Sequence, residues 1–298
     1  DVITLDDVSM PIPGASEVVV RVKAAGVGPW DAQIRAGHSA WAEPLPLTLG
    51  SDISGTITAA GPSVAGLAVG DAVFGATNPR FIGGYADYAL ADAALIARKP
   101  AELSDIDAAS VPVAGVAAWQ ALFEEARLRR GQSVMILGAA GSVGSFAVQL
   151  AHHAGVRVIG TASSKMGDYV RGLGADEILD HWADGFASGA REVDAVIDLL
   201  GGKLQYAAFA SLKSGGVLVS AVSAPDHAVA RSYGVTGHFF VVSITRARLD
   251  AIGAMIAAGR VSTSIGAVLP LAAARIAHEM LEGSRARPRG KIVLQVAA

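Results

Sequence analysis

A chain of 298 residues, 52% hydrophobic and 17% charged, has apolar material for one large domain or two of ordinary size. Its net charge of −3 provides no broad basic surface for nucleic acid or anionic lipid. Because it contains no cysteine, disulfides, thiolate nucleophiles, iron–sulfur clusters and cysteine-ligated zinc are excluded.

Up to Pro100 the chain reads as β-rich. "SEVVVRVKAAGVG" (16–28) is a strand that runs into a glycine turn. "SDISGTITAAGPSVAGLAVGDAVFGA" (51–76) holds two strands, broken by Gly61-Pro62 and Gly70-Asp71. "GGYADYALADAALIARKP" (83–100) alternates well enough for one more strand or two. Short strands at this spacing predict a small barrel or sandwich.

The texture then changes. Residues 104–131 read as helix: Ser104 caps a first short helix, with Asp107 in the capping-box position, and Gly131 stops the next one. From there strand and helix alternate. The strands are 133–138, 156–162, "EILDH" before residue 182, 194–202, 215–223 and "HFFVVSI" (238–244), with helices between them at 142–155, 164–173 and 203–215. This alternation predicts an α/β fold with a doubly wound parallel sheet. Two helices (245–262 and 271–284) and a last strand (290–296) end the chain. The uncharged stretch 131–151 is long enough to span a bilayer. Four glycines and several polar side chains interrupt it, so no transmembrane helix is expected. No basic-then-apolar leader is visible, and a cytoplasmic location is expected.

The stretch "LGAAGSVGSFAVQLAHHAG" (137–155) carries the chemistry. A strand leads into Ala139-Ala140-Gly141-Ser142-Val143-Gly144 and then a helix. The pattern A-x-G-x-x-G is one residue short of the dinucleotide fingerprint, but its βαβ context points to a bound pyrophosphate. No Gly-Lys-Ser/Thr follows, which disfavours a nucleotide-triphosphate loop. At the end of the second strand, where an NAD site places a carboxylate, the chain reads Thr161-Ala162-Ser163-Ser164-Lys165. Hydroxyls and a cation there suit a 2′-phosphate, so NADPH is the expected cofactor.

These motifs, with "AAGVGPWDAQIRAG", "PLTLGSDISGTITAAG", "GLAVGDAVFG", "PVAGVAAWQAL", "GTASSK" and "RGKIVL", resemble the zinc-free medium-chain dehydrogenase/reductases of the quinone oxidoreductase, or zeta-crystallin, type. The likeness runs through nearly the whole chain, although family members commonly begin with a further strand. It implies a GroES-like catalytic domain (1–102 and 244–298) and a Rossmann domain (103–243), with NADPH in the cleft. It implies that Ala139, Gly141, Ser142, Val143 and Gly144 hold the pyrophosphate, and that Ser163, Ser164, Lys165 and His181 surround the adenosine phosphate. It places Ala221, Val222, Ser223, Phe239, Phe240 and Val241 on the nicotinamide side.

Zinc members of the superfamily have a cysteine within the stretch matching "GVGPWD" and Gly-His-Glu in place of Gly50-Ser51-Asp52. With neither the cysteine nor the histidine, no metal site is expected. Many closer relatives carry Asn at the place of Gly28, Tyr or Lys at that of Gln33, and Thr at that of Ala117, so no polar catalytic residue is carried over. Gly28, Trp30, Gln33 and Asn78 are the candidates for the substrate pocket. Tyr85 and Tyr88 read as half-buried strand tyrosines, with a role as hydrogen-bond donors in the pocket as the alternative.

The expected reaction is hydride transfer from NADPH to a quinone or an α,β-unsaturated carbonyl, which needs no Lewis acid. A short-chain dehydrogenase is excluded because no tyrosine has lysine four residues later. The alternative is an NADPH-binding structural or regulatory protein with little turnover. The sequence shows no basic-aromatic surface for RNA. "HFFVVSI" reads as an apolar edge strand, and a homodimer is expected.

Overall fold

The computed structural model describes residues 3–38, 44–180 and 192–296. The elements begin with β1 (Glu17–Val27), α1 (Pro29–Arg35), β2 (Asp52–Ala60), β3 (Ala72–Ala76), β4 (Tyr88–Asp92), β5 (Ile96–Arg98), α2 (Asp105–Ala109) and α3 (Pro112–Trp119). A run of alternating elements follows: β6 (Ser133–Leu137), α4 (Ser142–His153), β7 (Arg157–Thr161), α5 (Gly167–Gly172), β8 (Glu177–Leu179), β9 (Val193–Asp198), α6 (Gly202–Ala208), β10 (Leu212–Ser220), α7 (His227–Ser232) and β11 (Thr236–Phe239). The chain closes with α8 (Arg246–Ala257), β12 (Ile265–Pro270), α9 (Ala274–Leu281) and β13 (Lys291–Gln295). The fold is α/β, in two units: Asp1–Val113 with Ser243–Gly259 and Thr263–Ala298, and Ala114–Val242 with Arg260–Ser262.

The first unit is organised by β1. Its β-branched valines favour an extended chain, and one face of the strand is buried throughout. β2 pairs with it antiparallel along one edge. The other edge is divided: Glu17–Arg21 pair with β4, and Ala24–Val27 pair with β13. The order β12-β13-β1-β2-β3-β5 therefore joins strands from both ends of the sequence. Val18, Val20, Val22, Ile53, Ile57, Ile96, Ile292 and Leu294 fill the core. Each such side chain removed from water contributes roughly 1.5–3 kcal/mol.

The second unit is a six-stranded sheet, β11-β10-β9-β6-β7-β8, parallel at every pairing. Renumbered from β6, this is the doubly wound order of dinucleotide-binding sheets. It reverses direction between β6 and β9, and such folds bind ligands at the carboxyl ends of the strands there. Met135, Leu137, Ile159, Val196, Phe209 and Leu218 pack its core.

Ser104 caps α2 as expected, its Oγ accepting from the Asp107 amide at 3.0 Å. The first short helix and the next one read up to Gly131 are α2 and α3, the second continued by a π-helical turn at Gln120–Glu125. Three elements are new: α1, α7 and β12. The sixth strand lies earlier than "HFFVVSI", because its pairing with β10 matches Val217 with Thr236 and ends at Ser220 with Phe239.

Candidate functional site

The turn between β6 and α4 is built for close approach. Gly138 has φ +79°, a conformation open to glycine. Its N–H donates to Thr161 Oγ1 at 3.1 Å, and that of Ala139 donates to the Thr161 carbonyl at 3.0 Å, tying the turn to the end of β7. Gly141 is the N-cap of α4 and, among the described residues, no side chain caps this helix, so the first-turn amides of Ser142, Val143 and Gly144 face outward along the axis. Gly144 is buried, and a β-carbon there would lie 2.2 Å from the Gly138 carbonyl oxygen. Uncapped amides at the positive end of a twelve-residue helix suit a phosphate.

At the end of β7, Ser163 is half-buried and opens a short 3₁₀ turn. Ser164 and Lys165 on that turn are exposed. The Ser164 amide donates to Asp180 Oδ2 at 3.2 Å. Asp180 follows β8 and escaped the sequence reading, since a single carboxylate after a short strand has no distinguishing pattern. His181 lies outside the described residues. Asp168 pairs with Arg171 at 2.8 Å on the surface.

Ala221, Val222 and Ser223 leave the end of β10, and Phe239, Phe240 and Val241 leave the end of β11. The two segments are brought together by the Phe240 amide, which donates to the Ser220 carbonyl at 3.1 Å. Phe240 is buried, whereas Val222, Phe239 and Val241 are 50%, 48% and 71% exposed. Gln120, on the π-helical turn, donates to the Val241 carbonyl at 3.4 Å.

In the first unit, Gly28 lies under Trp30: a β-carbon at residue 28 would sit 2.2 Å from the indole. Gln33 is exposed on α1. Asn78 is engaged within its own loop, donating to the Ile82 carbonyl at 2.7 Å and accepting from the Arg80 amide at 3.0 Å. Beside Gly28 is a buried cluster that the sequence reading did not assemble. Asp31 Oδ2 accepts from the Gly28 amide at 2.8 Å and from the Tyr85 hydroxyl at 3.0 Å. Lys291 pairs with Asp52 at 2.9 Å and lies 4.4 Å from the centre of the Trp30 ring. Burial raises the Asp31 carboxyl to about 7, against the pull of the Gly28 amide and Lys291. Burial also raises Asp52, which Lys291 counters, and it raises the Tyr85 hydroxyl, reinforced by Asp31. His278 meets Tyr85 edge-on, neither of its nitrogens has a hydrogen-bond partner among the described residues, and burial lowers it to about 4. The sequence signals for this cluster were separate: Asp31, Asp52 and Lys291 inside recognisable motifs, and Trp30 and Tyr85 singled out one by one; Tyr85 lies just before β4 rather than in a strand.

A family model described as the alcohol dehydrogenase GroES-like domain matches residues 14–101, and one described as zinc-binding dehydrogenase matches residues 173–294. The quinone oxidoreductase of Pongo abelii is 31% identical over 306 residues, covering 97% of this chain and 92% of its own length. The chain belongs to the quinone oxidoreductase family of the medium-chain dehydrogenase/reductases. As a member of that oxidoreductase family it is also similar to the 2-methylene-furan-3-one reductase of Solanum lycopersicum, at 30% identity over 99% of this chain and 76% of the relative. Among solved structures, the quinone oxidoreductase of Coxiella burnetii superposes with a TM-score of 0.91 at 32% identity, covering 99% of this chain and 95% of that one. A mycobacterial protein complexed with NADPH superposes at 0.84 with 30% identity, covering 98% and 94%. Among the described residues, no three His, Asp or Glu side chains converge as a metal site, and no helix is long and apolar enough to cross a membrane.

Proposed function

We propose that this chain is an NADPH-dependent reductase that delivers hydride to a quinone or an α,β-unsaturated carbonyl. The observation that carries the reading is the glycine turn from β6 into α4, where Gly144 packs against the Gly138 carbonyl and the helix amides stay uncapped. Ala139, Gly141, Ser142, Val143 and Gly144 would hold the pyrophosphate. Ser163, Ser164 and Lys165, standing where an NAD site has a carboxylate, would hold the 2′-phosphate. Ala221–Ser223 and Phe239–Val241 would line the nicotinamide side.

When bound, the reduced cofactor supplies the hydride, and the protein's task is to bind, orient and exclude water. Gly28, Trp30 and Gln33 are proposed to shape the acceptor's surface; Asn78, held in its own loop, is better placed to shape that loop. Asp31 holds a proton near neutrality, but its carboxyl is buried and bonded to Gly28 and Tyr85, so it sets the start of α1. On this reading the reduced acceptor takes its proton from water.

The test follows absorbance of the reduced nicotinamide against a panel of quinones, enones, alkenals and a simple ketone, with NADPH and NADH in parallel. Turnover on quinones or enones with NADPH preferred supports the reading. NADPH binding without turnover on any acceptor replaces it with that of a binding protein, a role consistent with the absence of a polar side chain at Gly28. We further propose a homodimer formed through β11, an edge strand with Phe239 and Val241 exposed at its end. Light scattering that reports the 30.2 kDa monomer mass would refute it.

A further inference from the structure

We propose that Asp198 is a positioning residue for the nicotinamide half of the cofactor, acting through Ser220 and Gln205 on the backbone at Ala221–Ser223. The proposal rests on the cofactor reading above.

Asp198 is the last residue of β9 and is fully buried. Its carboxylate accepts four hydrogen bonds. Oδ1 takes the amides of Leu200 at 3.0 Å and Gly201 at 2.8 Å. Oδ2 takes Gln205 Nε2 and Ser220 Oγ, both at 2.8 Å. No ion pair to Asp198 occurs among the described residues, so these donors carry the cost of burying the charge.

Two of the donors only close the turn after β9. The other two are side chains reaching from β10 and α6, and both continue to one three-residue segment. A serine hydroxyl has one hydrogen, and Asp198 takes it. The Ser220 oxygen is thereby fixed as an acceptor, and it receives the amides of Val222 at 3.3 Å and Ser223 at 3.2 Å. Gln205, oriented by the same carboxylate oxygen through one amide hydrogen, shares its other between the Ser223 carbonyl and hydroxyl, each at 3.1 Å. Ser223 is thus held from both sides by groups that Asp198 orients.

The segment is continuous with the phosphate cradle. A β-carbon on Gly138 would lie 3.0 Å from Leu200 Cδ2, and one on Gly201 would lie 3.0 Å from Ser223 Oγ and 3.4 Å from Val222 Cγ2. Leu200 and Val222 remain 46% and 50% exposed beside the cradle, apolar side chains left uncovered where the strand ends meet. A carboxylate that only capped a turn would need neither Ser220 nor Gln205.

The experiment titrates the full chain, as wild type, Asp198→Asn and Ser220→Ala, with NADPH and with adenosine 2′,5′-bisphosphate, which lacks the nicotinamide. Binding is read by calorimetry and by the fluorescence of bound reduced nicotinamide, and folding by circular dichroism. NADPH affinity is expected to fall about tenfold or more in Asp198→Asn and several-fold in Ser220→Ala, with altered nicotinamide fluorescence, as expected for loss of charge-assisted hydrogen bonds. Adenosine bisphosphate is expected to bind all three proteins alike. Unchanged NADPH binding in folded variants overturns the proposal, as does equal weakening of both ligands, the mark of a general structural role. Should Asp198→Asn fail to fold, Ser220→Ala decides by the same criteria. Wild-type protein that binds neither ligand overturns the cofactor reading, and this proposal with it; wild type that binds both isolates the fault in the Asp198 network.

Discussion

Asp52 and Lys291 meet at 2.9 Å above Gly26, arriving from the two strands that flank the end of β1. A β-carbon on Gly26 would lie 2.3 Å from the Ala109 carbonyl oxygen and 3.0 Å from both Asp52 Cβ and Lys291 Cε, so the end of α2 and the ion pair close over residue 26 because it has no side chain. Both side chains are almost wholly buried. Removing one partner strands a buried charge. Lys291→Met is expected to cost roughly 3–5 kcal/mol, whereas Lys291→Met with Asp52→Asn recovers much of the loss. Urea denaturation of the two variants checks this, and equal stability of the single and double variants would contradict it.

Trp30 occupies the space that a side chain at residue 28 would need. Gly28→Asn alone is expected to destabilise the chain by about 1–3 kcal/mol through overpacking. Gly28→Asn combined with Trp30→Val is expected to restore the melting temperature. If the single variant melts like wild type, the indole is mobile enough to make way and the two positions are uncoupled.

The two cradle glycines do different work. A β-carbon at Gly144 would meet the Gly138 oxygen at 2.2 Å, and one at Gly141 would lie 3.3 Å from the same atom. Gly144→Ala must push α4 off the turn and is expected to weaken NADPH binding about a hundredfold, while Gly141→Ala costs about tenfold or less. Calorimetric titration ranks them, and the reverse order would sink this account of the turn.

Lys165→Glu is expected to reverse the preference for NADPH over NADH by about tenfold or more, since it sets a negative charge against a 2′-phosphate. On the proposed cofactor reading Asp180, which accepts from the Ser164 amide at 3.2 Å, competes with the 2′-phosphate for that donor. Asp180→Asn is expected to sharpen the NADPH preference several-fold. Selectivity measured from kcat/KM for both cofactors tests the pair, and an unchanged ratio in Lys165→Glu would remove the phosphate from this turn.

Asp31 and His278 give stability opposite slopes with pH. Asp31 titrates near 7 in the folded chain against 3.8 when unfolded, so between those values the folded state holds the extra proton and stability is lost as pH rises. His278 is lowered from 6.5 to about 4, so the unfolded state takes up the proton first and stability is lost as pH falls through that window. Asp52, Lys291 and Tyr85 face Asp31, and Arg35 and Glu282 act on His278. Asp31→Asn cannot ionise, so its melting temperature is expected to rise relative to wild type from about pH 4 to pH 7. A constant difference across that range would show that Asp31 does not titrate there.

Much of the fold was legible because its signals are local. The valine run of β1, the alternation from β6 onward and the glycine turn at residues 138–144 each satisfy a backbone rule within a few residues. Elements decided by partners elsewhere were not legible. α1 has seven residues and opens on Pro29, which alone reads as a turn. β12 is extended because β13 offers it an edge, and β11 lies where β10 sets the register rather than where "HFFVVSI" is most apolar. The site divides in the same way. The glycine turn from β6 into α4, the proposed phosphate cradle, is a property of one segment, and the sequence by itself determined its form. The Asp31–Tyr85 contact spans 54 residues, the Asp52–Lys291 pair 239, and the Asp198 network joins β9, α6 and β10. A buried carboxylate acquires its partners, and so its role, only when distant strands close around it; that was left to the tertiary structure, because the cost of burying charge is met by groups the local sequence does not contain.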